Sequence, residues 1–124
     1  MLPTRIHGVL DYVVSIFLLA SPWLLDFHQS GTATWVVIVL GGSALLYSVF
    51  TDYEAGVIKR IPMPAHLALD AVHGALLTVS PWLLGFTETT WKPHLMLGLM
   101  ELGVVLLSRR RPPYRQPRQR YAAG

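Results

Sequence analysis

Apolar residues run through the chain in four blocks, at residues 7–25, 35–53, 66–84 and 91–108, with polar and turn-forming residues gathered between them. Each block is about 18–19 residues long. At helical rise each predicts a helix of ~27–29 Å, close to the hydrocarbon thickness of a bilayer. The connections "DFHQSGTAT", "EAGVIKRIPMPA" and "GFTETT" are short, so neighbouring helices should run antiparallel and pack side by side. Within the third block His66, Asp70, His73, Leu77 and Ser80 are spaced 4, 3, 4, 3, which places them on one helical stripe. The first block repeats the stripe as His7, Asp11, Val14, Leu18 and Ser21. An Asp one to two turns inside a bilayer is costly if it meets lipid, so both stripes should face the interior of the helical assembly.

The two stripes belong to a longer duplication. Residues 7–27 laid over 66–86 give eleven identities in 21 positions, including His7/His66, Asp11/Asp70 and "SPWLL" in both copies. The repeat unit is a hairpin of two helices. Each unit holds an even number of spans, so both copies enter the membrane in the same direction. That makes them parallel repeats about an axis along the membrane normal. The fold class expected is all-α: a bundle of four transmembrane helices built from two hairpins. Residues 1–58 form the first, residues 59–108 the second, and residues 109–124 a basic tail. The second and fourth blocks align less well than the first and third.

Charge sharpens this picture. Apolar residues are 52% of the chain and charged residues 14%, where soluble domains carry about 25% charged. No Lys or Arg lies between Arg5 and Lys59. Arg5, Lys59, Arg60 and six tail arginines fall on one side of the expected topology, and only Lys92 on the other. Nine against one places both termini in the cytoplasm. Trp23, Trp35, Trp82 and Trp91 then gather at the outer interface, where amphipathic rings are favoured, and Tyr53 at the inner one. The first block is not a signal peptide. Pro22 spoils the cleavage site in "LLASPW", and the same segment recurs in mid-chain. The lack of Cys excludes disulfides and thiol chemistry.

With H-x3-D and a distal S-P-W occurring twice in a small four-span chain, the sequence resembles the SPW-repeat family of bacterial membrane proteins. The resemblance covers nearly everything before Arg109. It implies a membrane-embedded repeat in a bacterial inner membrane, and it brings no biochemical activity with it.

Proline removes an N–H and crowds the carbonyl four residues back, and it pushes the preceding residue away from helical geometry. Each odd-numbered helix should therefore kink or end at Ser21-Pro22-Trp23 and Ser80-Pro81-Trp82. Ser followed by Pro could also cap a new short turn at the outer interface. The serine hydroxyls are the nearest groups able to satisfy backbone freed by proline.

The candidate polar core is His7, Asp11, His66, Asp70, His73 and Glu101. As structural glue, the two His/Asp pairs would meet across the repeat axis and hold hairpin to hairpin, each interhelical hydrogen bond contributing under ~1 kcal/mol. As a relay, the same carboxylates and imidazoles would carry protons or small ions. As ligands, His66, His73 and His7 would hold a metal or haem; no dense ligand motif accompanies them, and no cofactor is expected. His73 falls over Val14, and Glu101 over residues 41–43, so the second hairpin carries extra polarity. Equal depth predicts that His73 and Glu101 face each other. "GGSA" at residues 41–44, Gly98 and Gly103 predict close helix packing. Asp26, His28, Glu88 and His94 read as solvated outer-loop residues.

The tail "RRRPPYRQPRQRYAAG" lacks apolar periodicity and should be disordered. Arg109, Arg110 and Arg111 would contact anionic lipid headgroups, at ~1 kcal/mol per basic residue near the surface. No aromatic platform accompanies them, so no nucleic-acid partner is expected. The bilayer is the expected partner, with a homo-oligomer or another membrane protein possible. No nucleophile–base constellation or phosphate loop is present, so an enzyme is not expected. The reading is a structural or interaction protein (scaffold, subunit or accessory), with a proton or small-ion carrier as the alternative and a haem- or metal-binding protein third.

Overall fold

The chain, in a computed structural model that describes residues 1–116, forms four α-helices and no β-strand among those residues. They are α1 (Thr4–Leu24), α2 (Thr32–Val49), α3 (Met63–Leu83) and α4 (Lys92–Leu107). Helices α1 and α3 each follow an extended proline, Pro3 or Pro62. These prolines accept the first helical bonds, from His7 N and His66 N, both at 3.0 Å. Helix α1 packs on α2 and α3 on α4, and the two pairs meet along α2 and α3. Helices α1 and α2 are each long and apolar enough to cross a membrane.

The distribution of side chains is inverted relative to a water-soluble helical protein. Buried positions include His7, Ser15, Ser21, Ser48, His66, Asp70, His73, Ser80 and His94, while Ile6, Val9, Val13 and Ile16 line the exposed side of α1. Leu69, Val72, Leu76 and Val79 do the same on α3. Both exposed rows follow the 3–4 spacing of one helix face. The buried apolar residues divide in two. Leu18, Phe27, Ala33, Val37, Leu77 and Phe86 fill the half nearest the SPW segments, and Tyr53, Met63 and Leu67 pack at the opposite end.

Both chain ends described lie at that opposite end. Leu2 bridges Ser108, with Leu2 N donating to Leu107 O at 2.6 Å and Arg109 N to Leu2 O at 3.0 Å. Thr51 bridges Ile61 in the equivalent way. Leu2 and Ile61 are 59 residues apart, but Thr51 and Ser108 are 57 apart. Two glycines confirm the shorter offset for the even helices. A Cβ on Gly41 would lie 3.0 Å from Leu18 Cβ and 3.1 Å from Ser15 O; one on Gly98 would lie 2.8 Å from Gly74 O and 2.6 Å from Thr78 N. Gly41 and Gly98 are therefore equivalents. The counterpart of Glu101 is Ala44, just beyond the residues expected from sequence.

The SPW segments neither end their helices nor start new ones. Pro22 and Pro81 are inside α1 and α3, which continue for two further residues. The carbonyls that proline deprives of a donor are those of Leu18 and Leu77, four residues back. Ser21 Oγ donates to Leu18 O at 2.7 Å and Ser80 Oγ to Leu77 O at 2.9 Å. The serine repairs the ladder from inside rather than capping a new turn. Termination comes four residues later. Asp26 and Gly85 adopt left-handed backbone, with φ of 57° and 73°. Phe27 N and Phe86 N then bond back to Pro22 O and Pro81 O, both at 2.8 Å. This is the Schellman arrangement, and it tucks Phe27 and Phe86 into the core.

The first half of the tail is also ordered, against the expectation of disorder. Pro113–Arg115 forms a 3-10 turn. Tyr114 Oη donates to Asp52 Oδ1 and Arg115 Nε to Asp52 Oδ2, both at 2.9 Å. Arg109, Arg110 and Arg111 are exposed. Arg118 and Arg120 lie outside the described residues.

Candidate functional site

Helices α1 and α3 bring their H-x3-D stripes together near the end that carries the termini. His7 Nε2 lies 2.8 Å from Asp70 Oδ2 and 3.2 Å from Asp11 Oδ1. His66 Nε2 lies 3.0 Å from both Asp11 Oδ2 and Asp70 Oδ2. Each histidine thus faces the aspartate of its own helix and that of the other repeat. The two rings meet edge to face, with centroids 5.4 Å apart. Both histidines are fully buried and the carboxylates nearly so.

The hydroxyls around this square fix where its protons are. Ser108 Oγ donates its single proton to Val104 O at 2.5 Å, so its contact with His7 Nδ1 at 2.6 Å must be accepted from the ring. Thr51 Oγ1 likewise donates to Tyr47 O at 2.7 Å and accepts from His66 Nδ1 at 2.7 Å. Both Nδ1 atoms carry hydrogen, which turns both Nε2 atoms toward the carboxylates. Two more protons then lie between the Nε2 atoms and the carboxylates, in line with Asp70 for His7 and directed between the two carboxylates for His66, since a lone pair facing a lone pair would repel. Two imidazolium and two carboxylate groups sum to zero charge, which is what lets the square be buried. Tyr47 Oη donates to Asp70 Oδ1 at 2.5 Å and Tyr53 Oη to Asp11 Oδ2 at 2.7 Å.

A second polar contact stands beside the square. His73 Nε2–H donates to Leu40 O at 2.6 Å, and His73 Nδ1 meets Glu101 Oε2 at 2.6 Å. One imidazole thereby ties α2, α3 and α4 together. With both nitrogens engaged, His73 is not a partner of His7 and His66 in any shared ligand set, contrary to the trio considered from sequence. A cavity of about 30 Å³, lined in part by Asp11, Ser15, Tyr47, Asp70 and Glu101, separates the two polar groups. That is room for about one water molecule.

His94 departs most from its sequence reading. It is fully buried, not in solvent. Its Nε2–H donates to Ala33 O at 2.9 Å, and its ring lies between Phe27 and Phe86 at centroid distances of 5.5 and 4.8 Å. The hairpins are thus joined near the SPW segments as well. Asp26, His28 and Glu88 are exposed as expected. Trp82 and Trp91 pack together at 6.3 Å, and all four tryptophans are exposed at the SPW end.

Sequence reasoning did not identify Thr51, Ser108, Tyr47 or Tyr53. A signal existed in the first two: each is a hydroxyl residue at or within two positions of the end of an even-numbered apolar block, 57 positions apart. A family model described as the SPW repeat domain matches residues 5–108. No curated protein and no solved structure matches the chain.

Proposed function

The chain belongs to the SPW repeat family, and from that premise we propose that it is a multi-pass protein of the bacterial inner membrane with a structural or interaction role. In this reading all four helices cross the bilayer as a bundle, with both termini cytoplasmic. The observation that carries it is the inversion of polarity: rows of exposed Ile, Val and Leu on the outside, and histidines, aspartate and hydroxyls within. Such rows on opposite faces of a soluble protein would exceed the apolar patches that water tolerates. Helix α4, with 16 residues, reaches ~24 Å, so Trp91 and Ser108 complete its crossing. The basic excess lies at the end of the molecule opposite the four tryptophans, which supports the orientation.

The role follows from what the polar groups do. They join one repeat to the other and are consumed in doing so. The carrier reading draws on the cavity between Asp11, Asp70 and Glu101. Against it, Leu18, Val37 and Leu77 are packed at 0% exposure in the other half of the assembly, where the buried His94 is already bonded to Ala33 O.

The chain has no native cysteine, so single cysteines report topology cleanly. Cysteines replacing Ser30 and Glu88 should react with an impermeant maleimide added outside intact cells. Cysteines replacing Lys59 and Arg110 should react only after permeabilisation. Labelling of all four from one side would reject the topology. In proteoliposomes, proton flux above that of empty vesicles that is lost in Asp11→Asn/Asp70→Asn would replace the structural role with the carrier.

A further inference from the structure

His7, Asp11, His66 and Asp70 each offer one ligand atom, and the four atoms lie within 4.8 Å of one another. We propose that they form a binding site for one divalent transition-metal ion, zinc by its ligand set and four-coordinate geometry. The repeats contribute equally, one His and one Asp each, at i and i+4 of α1 and α3. A four-coordinate ion with bonds of ~2.0–2.1 Å has ligand–ligand edges of ~3.3 Å. Asp70 Oδ2 lies 2.8 Å from His7 Nε2 and 3.0 Å from His66 Nε2, whereas Asp11 meets His7 through Oδ1 at 3.2 Å and His66 through Oδ2 at 3.0 Å. These contacts need to open by only a few tenths of an ångström, with Asp11 settling on one of its two oxygens, and all four ligand atoms already lie within 4.8 Å of one another.

Three further observations point to an ion rather than to hydrogen bonds alone. First, His66 Nε2 is buried with no in-line hydrogen bond, although both carboxylates are 3.0 Å away. It is directed between them, where a shared ligand partner would stand. Second, both Nδ1–H groups are held by hydroxyls that have no proton to return, Ser108 and Thr51. Outer partners of this kind fix the tautomer that leaves Nε2 free to ligate. Tyr47 and Tyr53 orient the two carboxylates in the same manner. Third, charge balances. A dication replaces the two shared protons, which leave to solvent, and the site remains neutral. Four protein ligands with no open position describe a structural ion, here a staple between the repeats. Its assigned role rests on the structural reading above; ion binding itself is measured independently of topology.

The test uses the full chain purified in detergent, stripped with chelator, equilibrated with Zn²⁺ or Co²⁺ and desalted. One Zn²⁺ per chain by elemental analysis is expected, and Co²⁺ should show the intense visible bands of a tetrahedral site. Thr51→Ala/Ser108→Ala should keep helical circular dichroism and weaken Zn²⁺ affinity by about 10–100-fold. His66→Gln should abolish the Co²⁺ spectrum. Substoichiometric metal in natively helical wild-type chain overturns the site, as does a Co²⁺ spectrum that survives His66→Gln. If His66→Gln fails to fold, wild-type stoichiometry and the hydroxyl variant still decide. Cysteine labelling remains a separate result in every case.

Discussion

His7 Nε2 is closer to Asp70 Oδ2, at 2.8 Å across the repeat boundary, than to Asp11 Oδ1, at 3.2 Å one turn along its own helix. The stronger bond is between hairpins. A double-mutant cycle should therefore give more coupling for His7/Asp70 than for His7/Asp11, within the ~0.5–3 kcal/mol usual for contacting polar pairs. Asp70→Ala alone should destabilise by about 3–5 kcal/mol, because it leaves buried positive charge without a counterpart. Reversible unfolding in mixed detergent measures both, and equal coupling for the two pairs would remove the inter-hairpin role.

Ser21 repairs a gap that Pro22 creates. Ser21→Ala strands Leu18 O inside the protein and should cost about 1–3 kcal/mol. In the Ser21→Ala/Pro22→Ala background the restored N–H reaches the same carbonyl, and most of that loss should return. Ser80 and Pro81 should behave alike. If the double variant is no more stable than Ser21→Ala, the serine has another role.

Asp26 and Gly85 occupy the same left-handed position after their helices, but only glycine takes it freely. Asp26→Gly should leave stability unchanged or raise it by up to about 1 kcal/mol, whereas Gly85→Asp should lower it by about 1–2 kcal/mol. Thermal midpoints compared in one detergent give the sign.

The tail turn depends on Asp52. Burial, and then the Asp52 carboxylate beside it, push the Tyr114 phenol from its ordinary 10.0 up to about 12. A raised value means that the neutral phenol is the docked form. Docking is complete below pH 10 and is lost as pH rises through about 12. In Asp52→Asn the Tyr114 midpoint should fall back toward 10, as followed by the ring-carbon resonance in a specifically labelled chain. A midpoint that does not move would mean that the 113–115 turn is held by other contacts.

Local pattern made the helices legible. Apolar block length and periodicity placed all four within about four residues of their ends, because helix formation depends on near neighbours. The repeat placed His7, Asp11, His66 and Asp70 on matching faces, and burying a carboxylate forced those faces inward. The proline was legible in part: its clash and the serine hydroxyl that answers it are local, whereas the continuation of each helix past Pro22 and Pro81 was not read from the sequence. His94 misled because a histidine near a helix start looks like a loop residue. What buries it is Phe27 and Phe86, which arrive from the ends of two other helices.

The sequence by itself determined the duplicated hairpin, the inward polar stripe and the one-sided basic charge, since each is a periodicity or a count along the chain. Tertiary structure alone decided that Thr51 and Ser108 hold the histidine rings, that Tyr47 and Tyr53 hold the carboxylates, and that His73, whose pairing with Glu101 equal depth already predicted, also bonds Leu40 O. Those partners come from other helices and from the segments that follow α2 and α4, with offsets of 57 and 59 residues in the two halves of the repeat. Hydrogen bonds act over about 3 Å in space, and only packing sets which distant residues come that near.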